Sequence, residues 1–157
     1  MALRLQGVIE LPAHAGPGGF DHAAVHGRRG LLYVAHTANG ALDVIDCARK
    51  TFIRSIGGLP AVAGALVCEE QDLVFTSNRG EDTVAVFSPD REGALVKVTV
   101  GVKPNGLAYA PAHRVRPATG VSAISDRVST FTIETVEEPD RPGSPTLAAR
   151  SKRSAGA

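Results

Sequence analysis

The chain has 157 residues, 43% of them apolar and 21% charged, and 17 Lys plus Arg against 16 Asp plus Glu leave a formal charge of +1. That length suits one ordinary domain with its own core, and the balanced charge supplies no general field for nucleic acid or acidic lipid. Five Phe, two Tyr and no Trp exclude a stacking platform for single-stranded nucleic acid.

The N-terminus, Met1-Ala-Leu-Arg-Leu-Gln-Gly-Val-Ile-Glu10, lacks the continuous apolar stretch of a signal peptide. No apolar run approaches the roughly 18 residues of a spanning helix, so no membrane partner is expected. Two cysteines, Cys47 and Cys68, make no disulfide framework. They read as reduced, buried or half-buried thiols, and the expected location is cytoplasmic. Gly7-Val-Ile-Glu-Leu11 reads as one leading strand, and Pro12-Ala-His-Ala-Gly-Pro-Gly-Gly19 as a loop.

Four short strands follow, at roughly 21–26, 31–36, 42–46 and 51–56, and four more at roughly 63–67, 72–77, 83–88 and 95–100. The Leu31-Leu-Tyr-Val-Ala35 run is apolar on both faces, as a strand covered on both sides must be. Asn39-Gly40 between two apolar runs predicts a hairpin of type I′. Arg79-Gly80-Glu81-Asp82 takes the same place in the next unit, and Asp90-Arg-Glu-Gly93 closes a further turn.

The units repeat. Gly30-Leu-Leu-Tyr-Val-Ala-His-Thr37 matches Gln71-Asp-Leu-Val-Phe-Thr-Ser-Asn78 at an offset of 41, and Ala41-Leu-Asp-Val-Ile-Asp46 matches Thr83-Val-Ala-Val-Phe-Ser88 at 42 after a one-residue insertion. Asp21-His-Ala-Ala-Val25 matches Val62-Ala-Gly-Ala-Leu66 at 41, and a third copy begins at Pro104-Asn-Gly-Leu-Ala-Tyr109. A period of about 40–45 residues with several short strands per unit is the signature of a β-propeller blade. The third copy then falters, because Arg116 and Pro117 sit where a central strand should run and proline cannot donate to a ladder. Asp126-Arg-Val-Ser-Thr-Phe-Thr-Ile133 recovers some alternation. From Glu137 the chain is polar and Pro-rich, with a basic Arg150-Ser-Lys-Arg153 cluster, and reads as disordered.

The predicted fold class is all-β: a partial β-propeller of about two and a half to three four-stranded antiparallel blades, with a disordered C-terminal tail. Its parts are a partial propeller at 1–113 (blades at 20–58 and 61–102, a third beginning at 104), a degraded third blade at 114–136 and the tail at 137–157.

Leu31-Leu-Tyr-Val-Ala-His-Thr-Ala-Asn-Gly-Ala-Leu-Asp-Val-Ile-Asp46 resembles the YVTN-type β-propeller repeat, whose core reads Leu-Tyr-Val-Thr/Ala-Asn, a small polar turn, then Val-x-Val-Ile-Asp. Ser55-Ile-Gly-Gly-Leu-Pro60 and Val98-Thr-Val-Gly-Val-Lys-Pro104 resemble the linker of that family. The resemblance spans about residues 20–113 and implies fold more than activity, because lactonase-like enzymes, quinoprotein-like sensors and plain scaffolds share the architecture. Propellers typically carry four to eight blades, so the chain reads as a truncated or frame-shifted copy of a longer propeller. Alternatively it closes its ring by self-association, or is one part of a split propeller.

Propeller sites lie where the inner strands begin. By the offsets above, His22, Ala63 and Asn105 share one register at that rim, and an imidazole and an amide oxygen there can hold a metal or a polar ligand. Pro104-Asn-Gly-Leu-Ala-Tyr-Ala-Pro111 resembles the Pro-Asn-Gly-Leu-Ala segment of gluconolactonase-like propellers, which implies a metal-ligand role for Asn105. The matching early segment, Gly18-Gly-Phe-Asp-His22, has no Glu for that ligand set. Asp21 beside His22 is the best acid/base pair, but strand alternation places them on opposite faces. His14 reads as a loop residue, His26 and His113 as exposed turn residues, and His36 as the end of a strand where Ser77 stands in the next unit. No phosphate cradle or Gly-x-Ser-x-Gly elbow occurs.

The expected function is a non-enzymatic repeat scaffold or binding module without a cofactor. The alternative is a lactonase-like hydrolase with a divalent metal at His22 and Asn105. The expected partner is a protein or small molecule that the sequence does not identify, or a second copy covering an open blade face.

Overall fold

The computed structural model of the chain describes residues 3–110, 119–125, 130–136 and 148–153. Strands β1 Phe20–His26, β2 Leu31–His36, β3 Ala41–Asp46 and β4 Thr51–Ile56 form one antiparallel sheet in sequence order. Strands β5 Val62–Cys68, β6 Leu73–Asn78, β7 Thr83–Phe87 and β8 Val96–Thr99 form a second. A third contains β9 Pro104–Ala110, β10 Thr119–Ser125, β11 Thr130–Val136 and β12 Ala148–Arg153. The first strands β1, β5 and β9 lie against one another in that order. This is the all-β arrangement of a partial propeller, each sheet a meander whose strands pair with their sequence neighbours.

The turns follow local chemistry. Between β2 and β3 the chain makes one 3-10 turn, Thr37–Asn39, and only Gly40 takes the left-handed conformation, at φ 55° and ψ 39°. The expected type I′ turn would need positive φ at Asn39 as well, and Asn39 is instead spent as a side-chain clamp. Gly30 plays the part of Gly40 between β1 and β2. In the second sheet the same two left-handed places are held by Asp72 and Asp82, both at φ 55°, where an aspartate is tolerated better than most side chains.

Equivalent residues are 42 apart throughout. Phe20 pairs with His36, Val62 with Asn78, and Leu31–His36 and Leu73–Asn78 occupy the same strand. The expected 41-residue offset over the first two strands is therefore corrected: no residue is inserted between units, and His36 corresponds to Asn78 rather than Ser77. The leading strand expected at 7–11 is corrected: these residues carry no strand and pair with no sheet, and their Val8 is exposed. Within 114–136, β10 and β11 supply two ladder strands after the Arg116-Pro117 interruption, which itself lies outside the described residues. Of the tail at 137–157, Ala148–Arg153 pair with β11, and the rest lies outside the described residues.

Alternation sends successive side chains to opposite faces, and both faces of the second sheet are covered. Val74, Ala85 and Phe87 pack with Tyr33, Ala35, Leu42 and Val44 of the first sheet. Leu73, Phe75, Val84 and Val86 pack toward Leu107 and Tyr109 of the third. The apolar run of β6 thus has its cause in sheet-on-sheet burial, worth about 1.5–3 kcal/mol for each large side chain, whereas Leu31–Ala35, expected to be covered on both sides, buries Tyr33 and Ala35 against the second sheet and leaves Leu32 and Val34 half-buried on the other face. Burial of Tyr33 also raises its phenol pKa to about 12.

Candidate functional site at the rim of the inner strands

Each inner strand opens with a bulge. Two residues separate Phe20 from Ala23 and Val62 from Ala65, where the partner strands advance by two positions, and β9 bulges at Asn105. A bulge re-aims the side chains it carries, so Asp21 and His22 do not diverge as plain alternation predicts. The Asp21 carboxylate lies 2.8 Å from His22 Nδ1, which corrects the expectation that the two could not act together. The same His22 nitrogen is 3.2 Å from the Ala63 carbonyl oxygen on the next inner strand. Arg79 Nη2 donates to Asp21 Oδ2 at 3.0 Å.

Asn105 is held differently. Ser77 Oγ accepts from the Gly64 amide at 2.7 Å and donates to the Asn105 carbonyl at 2.5 Å. Gly64 is required here, since a Cβ on it would meet the Asn105 carbonyl oxygen and Ser77 Oγ. Asn105 Oδ1 is buried without a hydrogen-bond partner. With the 42-residue offset, Asn105 corresponds to Ala63 and Asp21, while His22 corresponds to Gly64 and Gly106. The shared register expected for His22 and Asn105 is thus off by one position. The two residues lie on strands to either side of β5. Among the described residues, no three of His, Cys, Asp and Glu are grouped to hold a metal.

The other histidines depart from expectation. His26, expected at the surface, is 1% exposed, and its Nε2 lies 2.9 Å from Asp72 Oδ1. Arg29 reaches both carboxylates beyond it: Nε donates to Asp72 Oδ1 at 2.7 Å, and Nη1 and Nη2 each donate to Asp90 at 2.8 Å. Hydrogen bonding from Arg29 holds the Asp72 and Asp90 carboxyls below their ordinary range, with His26 adding to the effect on Asp72. His36 and Asp43 are both fully buried, with Nδ1 and Oδ2 2.7 Å apart. Ser55 Oγ donates to the other oxygen, Oδ1. His14 packs its ring on His36 and Phe20. His113 lies outside the described residues. Cys68 is buried, but Cys47, expected to be at least half-buried, is exposed at the β3–β4 turn, and both are free thiols.

Sequence reasoning missed Asp43, Asp72 and Arg79. A signal was present for Asp43: an acid inside Ala41-Leu-Asp-Val-Ile45 is buried among apolar neighbours and therefore needs a partner. Asp72 and Arg79 had none, because their partners lie 46 and 58 residues away.

The fold and rim define a propeller-type β-meander assembly. No family model and no curated protein matches the chain. Among solved structures it is similar to hydrazine synthase from Kuenenia stuttgartiensis, with a TM-score of 0.63 and 14% sequence identity, over 84% of this chain and 36% of that one. At that identity the likeness concerns the fold alone, and this chain spans about a third of its neighbour's length. No helix among the described residues is long and apolar enough to cross a membrane.

Proposed function

We propose that the protein is a non-enzymatic β-propeller repeat of the YVTN type, acting as a binding or scaffold module. One observation carries this reading. The polar groups at the rim are engaged in joining sheet to sheet: His22 to Ala63, Ser77 to Asn105, Arg79 to Asp21, and Thr37 Oγ1, which donates to the Val62 carbonyl at 2.7 Å. Such groups hold blades in register and leave little to act on a substrate. The two free thiols accord with a reducing, cytoplasmic setting.

The lactonase-like reading retains one favourable feature, the unpartnered buried Oδ1 of Asn105, since an orphaned acceptor is a ligand in search of a donor or cation. The purified chain, supplied with Ca2+ or Zn2+, separates the two readings on a panel of lactones. The scaffold reading expects hydrolysis no faster than in buffer. Turnover that disappears in Asn105→Ala would overturn it.

A further inference from the structure

We propose that residues 3–11 are an exchanged strand. In a pair of chains, each lends this segment to the free edge of β4 in the other, while the open faces of the two first sheets meet. The partner is a second copy of this chain, and the inference does not rest on the scaffold reading.

The segment has the pattern of a strand and no sheet to join. Leu3, Leu5, Ile9 and Leu11 fall at alternate positions with Arg4, Gln6 and Glu10 between them, the period of a strand with one apolar face. Yet Leu3, Leu5 and Val8 are exposed, and among the described residues no hydrogen bond reaches the backbone of residues 3–12. Apolar side chains on a row of unpaired amides and carbonyls are the form in which a segment adds to a sheet edge.

The period of the fold says where such a strand belongs. Taking 42 residues from β4, Thr51–Ile56, gives 9–14. His14 then stands for Ile56: it packs on Phe20, as Ile56 shares a cluster with Val62. The Gly19 carbonyl accepts from Ala38 N at 3.3 Å, and its counterpart at Ala61 accepts from Arg79 N at 3.2 Å. The segment thus continues the repeat as an outer strand, for a sheet that would lie on the open face of the first one. On that face Phe20, Val25 and Ile53 are exposed. A second copy supplies what is lacking on both counts, an apolar face and a free edge, and two like patches can close on each other as a pair.

The tether allows the exchange. Asn39 Nδ2 donates to the Ala13 carbonyl at 3.0 Å, and Ala15 N donates to Asn39 Oδ1 at 2.7 Å, so the segment leaves its own chain at a fixed point. Residues 3–11 in extended form reach about 30 Å, enough to cross the roughly 10 Å between packed sheets. Of the outer edges, β4 is the least guarded. β8 has four residues and carries Lys97, and β12 carries Arg150, Lys152 and Arg153; short length and cationic side chains keep an edge from pairing. β4 has six residues with neither lysine nor proline, and its Arg54 is drawn to Glu92, with Nε 2.6 Å from Oε2.

The test uses the full chain carrying Cys47→Ser, which removes the exposed thiol as a source of cross-linking. Light scattering and amide hydrogen exchange are read over one concentration series. The expected result is a dimer in which the amides of residues 3–11 and the outward amides of β4 exchange at least about tenfold more slowly than in the diluted monomer. Leu5→Pro, at an exposed and unpaired position, is expected to fold normally, to lose that protection in both segments, and to raise the dimer Kd at least about tenfold. A monomer at every concentration, a dimer in which residues 3–11 exchange as fast as in the monomer, or protection independent of concentration would each overturn the exchange. So would a dimer that survives Leu5→Pro unchanged but is lost in Val25→Asp, which would leave the open faces in contact without the strand.

Discussion

At Gly64 the absence of a side chain is what lets the second and third sheets meet. A Cβ there would press on the Asn105 carbonyl and stand 2.6 Å from Ser77 Oγ, the atoms that carry the hydrogen bond between the sheets. Neither is the loose end of a long side chain, so the strands themselves must move. Gly64→Ala is expected to cost about 1–3 kcal/mol, as overpacking does in close-packed interiors, read as a lower denaturant midpoint. An unchanged midpoint would mean that Ser77 does not join these sheets in solution. The corresponding position in the first sheet is His22, whose ring reaches the Ala63 carbonyl in place of Ser77. One structural task is thus done by different residues in successive units.

Between elements, the turn after β5 grips the turn after β1. Asp72 accepts from Arg29 and pairs with the buried His26, and Arg29 continues to Asp90. The carboxyl pKa of Asp72 is lowered in the folded chain, first by its hydrogen bond from Arg29. A group so depressed adds stability above its unfolded pKa of about 3.9, and that stability is lost as pH falls through the folded value. Asp72→Asn tolerates the left-handed backbone at φ 55°; it removes the charge and turns one of the two oxygens that accept from Arg29 into an amide donor. It is expected to lose about 1 kcal/mol at pH 7, after allowance for solvent screening of a half-exposed carboxylate. The gap from the unsubstituted protein should close as pH drops below about 4. Thermal melts at pH 7, 5 and 3 measure it, and a gap that does not narrow between pH 5 and pH 3 would contradict the assignment.

At the scale of the whole chain, the decisive feature is a face of the first sheet on which no other sheet lies among the described residues. Val67, Val74 and Phe87 on the second sheet are packed against the first. Their counterparts 42 residues earlier, Val25, Leu32 and Ile45, belong to the opposite face of the first sheet from Tyr33, Leu42 and Val44. On that face Ile45 is buried, but Val25 is 60% exposed, Phe20 46% and Ile53 42%. A surface that repeats a buried interface, yet faces solvent in part, is suited to a second copy of the chain. Light scattering across a concentration series is expected to show a discrete oligomer, returned to monomer by Val25→Asp. A monomer at every concentration would remove self-association from the account.

Much of the fold was legible in the chain because its cause is local or periodic. Strand positions at 31–36 and 51–56 came directly from apolar runs bounded by turn residues, and the blade period from self-similarity. The register was misjudged by one position because Leu31–His36 and Leu73–Asn78 align equally well to the eye at offsets of 41 and 42; only ladder pairing decides between them. The candidate site was less legible. The bulge that turns Asp21 toward His22 holds no glycine or proline to announce it, and strand alternation predicted the reverse.

By itself, the sequence determined the class of fold and the two complete four-stranded units, since each is a matter of hydrophobic period and turn chemistry along neighbouring residues. The tertiary structure alone decided that His26 and His36 are buried against aspartates, that Arg29 joins Asp72 to Asp90, and that His14 lies over His36. Those pairings depend on which strands become neighbours in space, and a side chain 22 or 61 residues distant leaves no local mark on the chain.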